Sequence, residues 1–121
     1  MTDGENKKSD IFNFKTEELY QSQDFHLNYL FDLYGSDKGT LSDSRDKPYP
    51  WFAHTYGGYY SKLFDHCRNS IKLVFECGIG TNNPNLASSM NVNAKPGASL
   101  RAWRDYFENA LIFGGDIDNN I

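Results

Sequence analysis

The chain has 121 residues, room for one small domain, and carries 12 basic against 16 acidic side chains for a net charge of −4. That balance counts against non-specific binding to nucleic acid or acidic membranes, which needs an excess of Lys and Arg. Hydrophobic residues make up a modest 39%, but aromatics reach 16%, so a core can be built from few large side chains and the chain is no disordered polyelectrolyte.

Residues 1–15 are polar, lack sustained periodicity and are expected to form a flexible arm. The opening MTDGENKKSD lacks the apolar segment of a signal peptide, and no stretch approaches the roughly 20 apolar residues of a membrane helix. Cys67 and Cys77 form no CxxC pattern, which indicates neither a secreted disulfide scaffold nor a zinc site. A cytoplasmic protein with no membrane or nucleic-acid partner is the expectation.

Residues 16–70 read as a helical N-terminal region. Leu27, Leu30, Phe31 and Tyr34 fall at i, i+3, i+4 and i+7 and predict a first helix, with Ser22 or Asp24 as its cap and Gly35 at its end. Residues 35–53, rich in Gly, Ser, Asp and Pro, predict a long loop. Tyr56, Tyr59, Tyr60, Leu63, Phe64 and Cys67 then keep helical spacing, despite Gly57 and Gly58.

Residues 71–121 change character. Ile71 to Cys77 is a short apolar run ending at Gly78, which suits a strand buried on both faces. Residues 82–97 form a polar, Asn- and Ser-rich insertion, expected to be mostly irregular and exposed. Ser99 is placed to cap a third helix over 99–109, in which Leu100, Trp103 and Phe107 share a face and Arg101 can pair with Asp105. A second apolar run, Leu111 to Phe113, closes at Gly114, Gly115 and Asp116. Strand, glycine turn, helix and strand in that order predict a right-handed crossover between adjacent parallel strands.

The segment carrying chemistry is VFECGIGTNN, residues 74–83. Glycines past a strand's carboxyl end let a ligand approach the main chain without Cβ obstruction, in the crevice where open α/β sheets bind ligands. Gly78 and Gly80 are spaced G-x-G, but position 83 holds no glycine, so the dinucleotide fingerprint fails. Glu76 at the first strand's end would repel a pyrophosphate yet suits a cationic amino group or sulfonium. Asp116 stands where an acidic side chain commonly accepts hydrogen bonds from ribose hydroxyls. The plain alternative for both is a solvated strand end.

These residues carry a resemblance. E-C-G-I-G-T resembles the first motif of class I S-adenosylmethionine-dependent methyltransferases, and residues 97–118 are similar to the sugar and macrolide O-methyltransferases of the macrocin and mycinamicin type. That branch pairs a GSDKG-like loop and an H-x-Y-x-x-x-Y motif with a G-x-S-L-x-x-W helix and a G-x-D-I-D strand end. This chain has Gly35 to Gly39, then His54, Tyr56 and Tyr60, then Gly97 to Phe107, then Gly114 to Asp118. The third glycine of the usual motif is Asn82, and a long insertion separates the turn from its helix.

The resemblance implies an α/β fold, the N-terminal portion of a Rossmann-like doubly wound sheet. It also implies S-adenosylmethionine as cofactor and a sugar-type small-molecule substrate. By position, Glu76, Gly78 and Gly80 would line the methionine and ribose portions of the cofactor, with Thr81 beside them. Asp116 would hold the ribose hydroxyls, and Ser99 would face the cofactor carboxylate. Lys38, His54, Tyr56 and Tyr60 would flank cofactor or substrate. On spacing alone, Tyr56, Tyr60 and Trp103 read as core, and His54 as a cap or surface residue. The catalytic base and the ligands of any divalent metal are not identifiable here.

The chain ends at Ile121 with two of the strands that such a sheet contains. The expectation is therefore an N-terminal part, a truncated product, or a chain completed by oligomerisation or a partner. The competing readings are an inactive product keeping a partial nucleotide-binding turn and, third, a nicotinamide-binding half-domain. The absent third glycine and Glu76 count against the last.

Overall fold

The computed structural model describes residues 26–40, 52–90, 92 and 94–121, to which every structural statement here refers. The arm 1–15, the caps Ser22 and Asp24, and most of loop 35–53 lie outside them.

Helix α1 (His26–Tyr34) buries Leu27, Leu30 and Phe31 along one stripe, as their spacing predicts. It ends at Gly35, whose φ of 76° lets its own N–H reach the Asp32 carbonyl (3.1 Å) and the Ser36 N–H reach that of Phe31 (2.8 Å). These are the paired bonds of a Schellman cap. Helix α2 (Tyr56–Phe64) crosses α1 closely at Gly57, where a Cβ would stand 2.0 Å from Asn28 Oδ1. A glycine that weakens the helix intrinsically is here what admits its neighbour. α2 is shorter than its apolar period predicts. Asp65 receives the hydroxyl of buried Tyr106, the chain turns, and Cys67 falls outside the helix, before a short 3₁₀ turn at Arg68–Ser70.

Strand β1 (Leu73–Cys77), helix α3 (Ala98–Tyr106) and strand β2 (Leu111–Gly115) follow in the predicted order. β1 and β2 pair in parallel, from Leu73 opposite Leu111 to Cys77 opposite Gly115. The expectation of a strand buried on both faces does not hold. Val74 and Ile112 face the core, whereas Leu73, Phe75, Leu111 and Phe113 are 50–66% exposed. Among the described residues, helices cover one face of the sheet only, so the apolar run meets the core with alternate side chains.

The core is aromatic. Trp103 of α3 takes Phe31 edge-on at 5.0 Å and Tyr60 edge-on at 5.1 Å, and Phe107 stacks beside it at 5.6 Å. Each such pair contributes about 0.5–1.5 kcal/mol beyond the area it buries. Trp103 is thus core, as its spacing predicts, and Tyr60 packs with it.

Two expectations about α3 need correction. Its N-cap is Gly97, at φ 73°, so Ser99 lies inside the first turn and its hydroxyl is free to reach another element. Arg101 does not pair with Asp105: it donates to the Pro96 carbonyl (3.2 Å), while Asp105 takes Arg104 (2.8 Å) and the Tyr34 hydroxyl. The described residues of the insertion 82–97 are irregular, as predicted, but not uniformly exposed. It doubles back so that Met90 N–H meets the Thr81 carbonyl (2.8 Å), and Ala94 is buried with its carbonyl on the Asn82 amide (2.9 Å). An Asn-rich stretch satisfies main-chain groups from its side chains and so packs without regular structure.

Candidate functional site

The site lies at the carboxyl ends of β1 and β2, where the chain leaves the sheet through Gly78-Ile79-Gly80. Gly78 N–H extends the sheet to the Gly115 carbonyl (2.7 Å), and the Ile79 carbonyl accepts from Gly97 N–H at the start of α3 (2.8 Å). Gly80 is favoured by its φ of 91°, and a Cβ there would also push aside the Met90 side chain, whose sulfur it would approach to 1.8 Å.

Asp116 fastens this turn. Its Oδ2 accepts Ile79 N–H (2.9 Å) and Gly80 N–H (3.0 Å), and its Oδ1 accepts Asp118 N–H (3.1 Å). Those bonds, Asp118's foremost, outweigh partial burial and hold the carboxyl below the usual carboxylate range. Asp118 is buried and held low in turn, chiefly by the Thr81 hydroxyl and then by Asn120 N–H. Thr81 therefore points its hydroxyl inward, away from the strand-end crevice.

Glu76, at the end of β1, is held by side chains instead. Ser99 Oγ–H (2.7 Å) and Trp103 Nε1–H (3.1 Å) both donate to Oε2, and the ammonium of Lys38 stands 3.3 Å from Oε1. Ser99 and Trp103 are four residues apart on α3, so one face of the helix presents both donors. That spacing was available in the sequence, yet the indole's part in the site was not anticipated.

Lys38 comes from the Gly35–Gly39 loop, which is hooked onto the start of α2. The carbonyls of Asp37, Lys38 and Gly39 accept N–H groups of His54 (2.6 Å), Gly57 (3.2 Å) and Thr55 (3.1 Å). On the other side, Thr40 donates its N–H (2.7 Å) and hydroxyl (2.6 Å) to Asp32 of α1. The ring of His54 lies 3.3 Å from Asp37 Oδ2 and stacks on Tyr56 at 5.1 Å. Tyr56 is 44% exposed, so its reading as core is corrected; only Tyr60, four residues on, turns inward. Burial pushes the Tyr60 phenol up from its ordinary value.

The structure thus brings Lys38, Gly78, Gly80 and Ser99 together around a cavity of about 100 Å³, with Glu76 joined to Lys38 and Ser99 beside it. A larger crevice of about 670 Å³ opens beside it, over Gly80, Met90, Gly115, Asp116 and Ile117. An apolar hollow of about 570 Å³ runs from Lys38 and Glu76 along β1 to Tyr60 and Phe64. Its walls include exposed Leu73 and Phe75 of the sheet as well as Glu76 at the strand end. His54 and Tyr56 line none of these three hollows; they stack on each other, with His54 beside Asp37. Among the described residues, no three His, Cys, Asp or Glu side chains are placed to hold a metal ion, and no helix is long and apolar enough to cross a membrane.

The chain is similar to the 8-demethyl-8-alpha-L-rhamnosyl tetracenomycin-C 2'-O-methyltransferase of Streptomyces olivaceus, with 34% identity over 67 residues. The match takes in 55% of this chain and 16% of the length of that relative. No family model and no solved structure matches the chain. The similarity supports a methyltransferase relationship, and the helices with their two-stranded parallel sheet are compatible with part of a Rossmann-like α/β fold.

Proposed function

We propose that the chain forms the S-adenosylmethionine-binding part of an O-methyltransferase that acts on a sugar or a glycosylated small molecule. One observation carries the cofactor reading: a carboxylate, Glu76, fixed at the end of the first strand and lining, with Lys38 and Gly78, a hollow of about 570 Å³. An anion there suits a cationic ligand and repels a pyrophosphate. The sugar reading rests on the similarity to the tetracenomycin-type enzyme and on the loop, H-x-Y and G-x-D-I-D motifs described above.

The residues fit the cofactor. A Cβ at Gly78 would meet nothing within 4 Å, so the main chain there lies open to a ligand. Glu76 and Lys38 both line the hollow of about 570 Å³, with the ammonium 3.3 Å from Glu76 Oε1. When bound, the cofactor supplies an electrophilic methyl on a sulfonium, taken by a deprotonated hydroxyl in a single displacement. The chain's own part is to bind and orient: Glu76 pairs with a cationic amino group, the turn brings main-chain atoms close, and ionised Asp116 keeps that turn in shape. Asp116 already accepts several main-chain N–H groups, so a ribose hydroxyl reaching it shares an oxygen with them.

Calorimetric titration of the protein tests this reading. S-adenosylmethionine or its demethylated product is expected to bind more tightly than NAD, and Asp116→Ala to weaken that binding at least about tenfold, since both turn and acceptor are lost. Tighter binding of NAD, or equal affinities of wild type and variant, would overturn it.

A further inference from the structure

We infer that Met90 is an oxidation site, and that converting its thioether to the sulfoxide deforms the strand-end turn and weakens ligand binding there. The effect on the cofactor rests on the methyltransferase reading above; the modification and its effect on the turn do not.

Met90 is one of two methionines in the sequence and the one among the described residues. Its main chain is fixed, because its N–H donates to the Thr81 carbonyl (2.8 Å) next to the bridge between Thr81 and Ser89. Its side chain is unbranched, half-buried and laid against Gly80, where a Cβ would stand 1.8 Å from the sulfur and 2.8 Å from the methyl carbon. Open space lies to both sides. Met90 shares the crevice of about 670 Å³ with Asp116, and the cavity of about 100 Å³ with Lys38 and Ser99. A core methionine is enclosed by other side chains; this one is reached by a small oxidant through the crevice.

The sulfur lone pair attacks one oxygen of hydrogen peroxide, the O–O bond breaks, and a sulfoxide and a water result. Sulfur loses two electrons and the peroxide gains them. A thioether is a weak acceptor and engages the polar groups beside it only weakly. The sulfoxide oxygen is a strong acceptor on what was an apolar side chain. The cavity wall offers it the hydroxyls of Ser36 and Ser99 and the ammonium groups of Lys38 and Lys95. Ser99 and Lys38 also hold Glu76, at 2.7 and 3.3 Å. A sulfoxide turned toward these donors leaves its seat on Gly80 and competes with Glu76 for its partners. One added oxygen thus reaches both the glycine turn and the carboxylate.

The reagent is hydrogen peroxide, applied to the full chain with Cys67→Ser and Cys77→Ser, because Cys77 lines the same crevice. Peptide mass mapping is expected to find one added oxygen on Met90, and the amide NMR signals of Gly80 and Ser99 to move. Affinity for S-adenosylmethionine, titrated after the peroxide is removed, should fall at least about tenfold, and methionine sulfoxide reductase should restore it. Met90→Leu should pass through the same treatment with its signals and affinity unchanged. Met90→Gln, which carries an acceptor oxygen without any oxidant, should bind at least about tenfold more weakly from the start.

A Met90 that stays unoxidised, amide signals that do not move, affinity that survives oxidation, or an equal loss in Met90→Leu would overturn the inference. Failure of the untreated protein to bind S-adenosylmethionine would instead overturn the methyltransferase reading, and the mass map and amide signals would still decide whether Met90 deforms the turn.

Discussion

The two strand ends each carry an acidic residue, and they hold it by opposite means. Glu76 is gripped by a hydroxyl, an indole and an ammonium; Asp116 is gripped by main-chain N–H groups of its own and the neighbouring turn. Main-chain donors cannot move without unmaking the turn. Side-chain donors can rotate away, and one of them is a cation on a flexible stem. One acid is therefore tied into the frame and the other is held by side chains alone, although the sequence presents them as a matched pair.

The sharpest way to break that contrast is through Trp103, which serves the core and Glu76 at once. Trp103→Ala should destabilise the protein by about 3–5 kcal/mol, because a buried ring in contact with Phe31, Tyr60 and Phe107 leaves a cavity. Urea unfolding measures this. A loss under about 1 kcal/mol would mean that the aromatic cluster is not the core.

Ser99→Ala is a finer probe. It removes one donor to Glu76 Oε2 and leaves the carboxylate short of a partner, with an expected cost of about 1–2 kcal/mol. The same unfolding midpoint reports it, and no change would show that Trp103 alone orients the carboxylate.

The smallest effect concerns pH at the other strand end. The Asp116 carboxyl is held below its ordinary 3.8 in the folded protein. Its contribution to stability is then complete above that value and lost as pH falls through the lower folded one. Asp116→Asn cannot titrate, so its unfolding midpoint should fall less steeply than wild type's below about pH 4. Parallel curves for the two proteins would mean that Asp116 is not an ionised clamp.

Much of the frame was legible because its signals are local. The α1 stripe, its Gly35 stop, and the strand–turn–helix–strand order each depend on residues a few positions apart. What escaped depends on partners far along the chain. Nothing near Ser99 tells that Gly97 takes the capping position and that Ser99 turns 23 residues back to Glu76. Tyr56 and Tyr60 share a helical stripe, yet only Tyr60 meets Trp103, while Tyr56, the first residue of α2, stays exposed. The apolar run of β1 cannot itself say whether one face or both are covered. In the candidate site, Glu76, Gly78, Gly80 and Lys38 were named from motif and resemblance, and the structure sets them side by side. Their ion pair and the clamping by Asp116 are tertiary facts with no short-range signature.

The doubled-back insertion divides into a free part and a fastened part. Pro84, Asn85, Ala87 and Ser88 lie exposed on its outer bend, whereas Met90 is bonded to Thr81 and pressed against Gly80, and Ala94 is buried under Asn82. Residues added or deleted in the outer bend alter only a surface excursion. The same change between Met90 and Gly97 shifts the buckle that keeps the glycine turn against α3. Length variation in this stretch therefore has one tolerant address, and drift beyond it would deform the ligand cradle without replacing any residue that lines it.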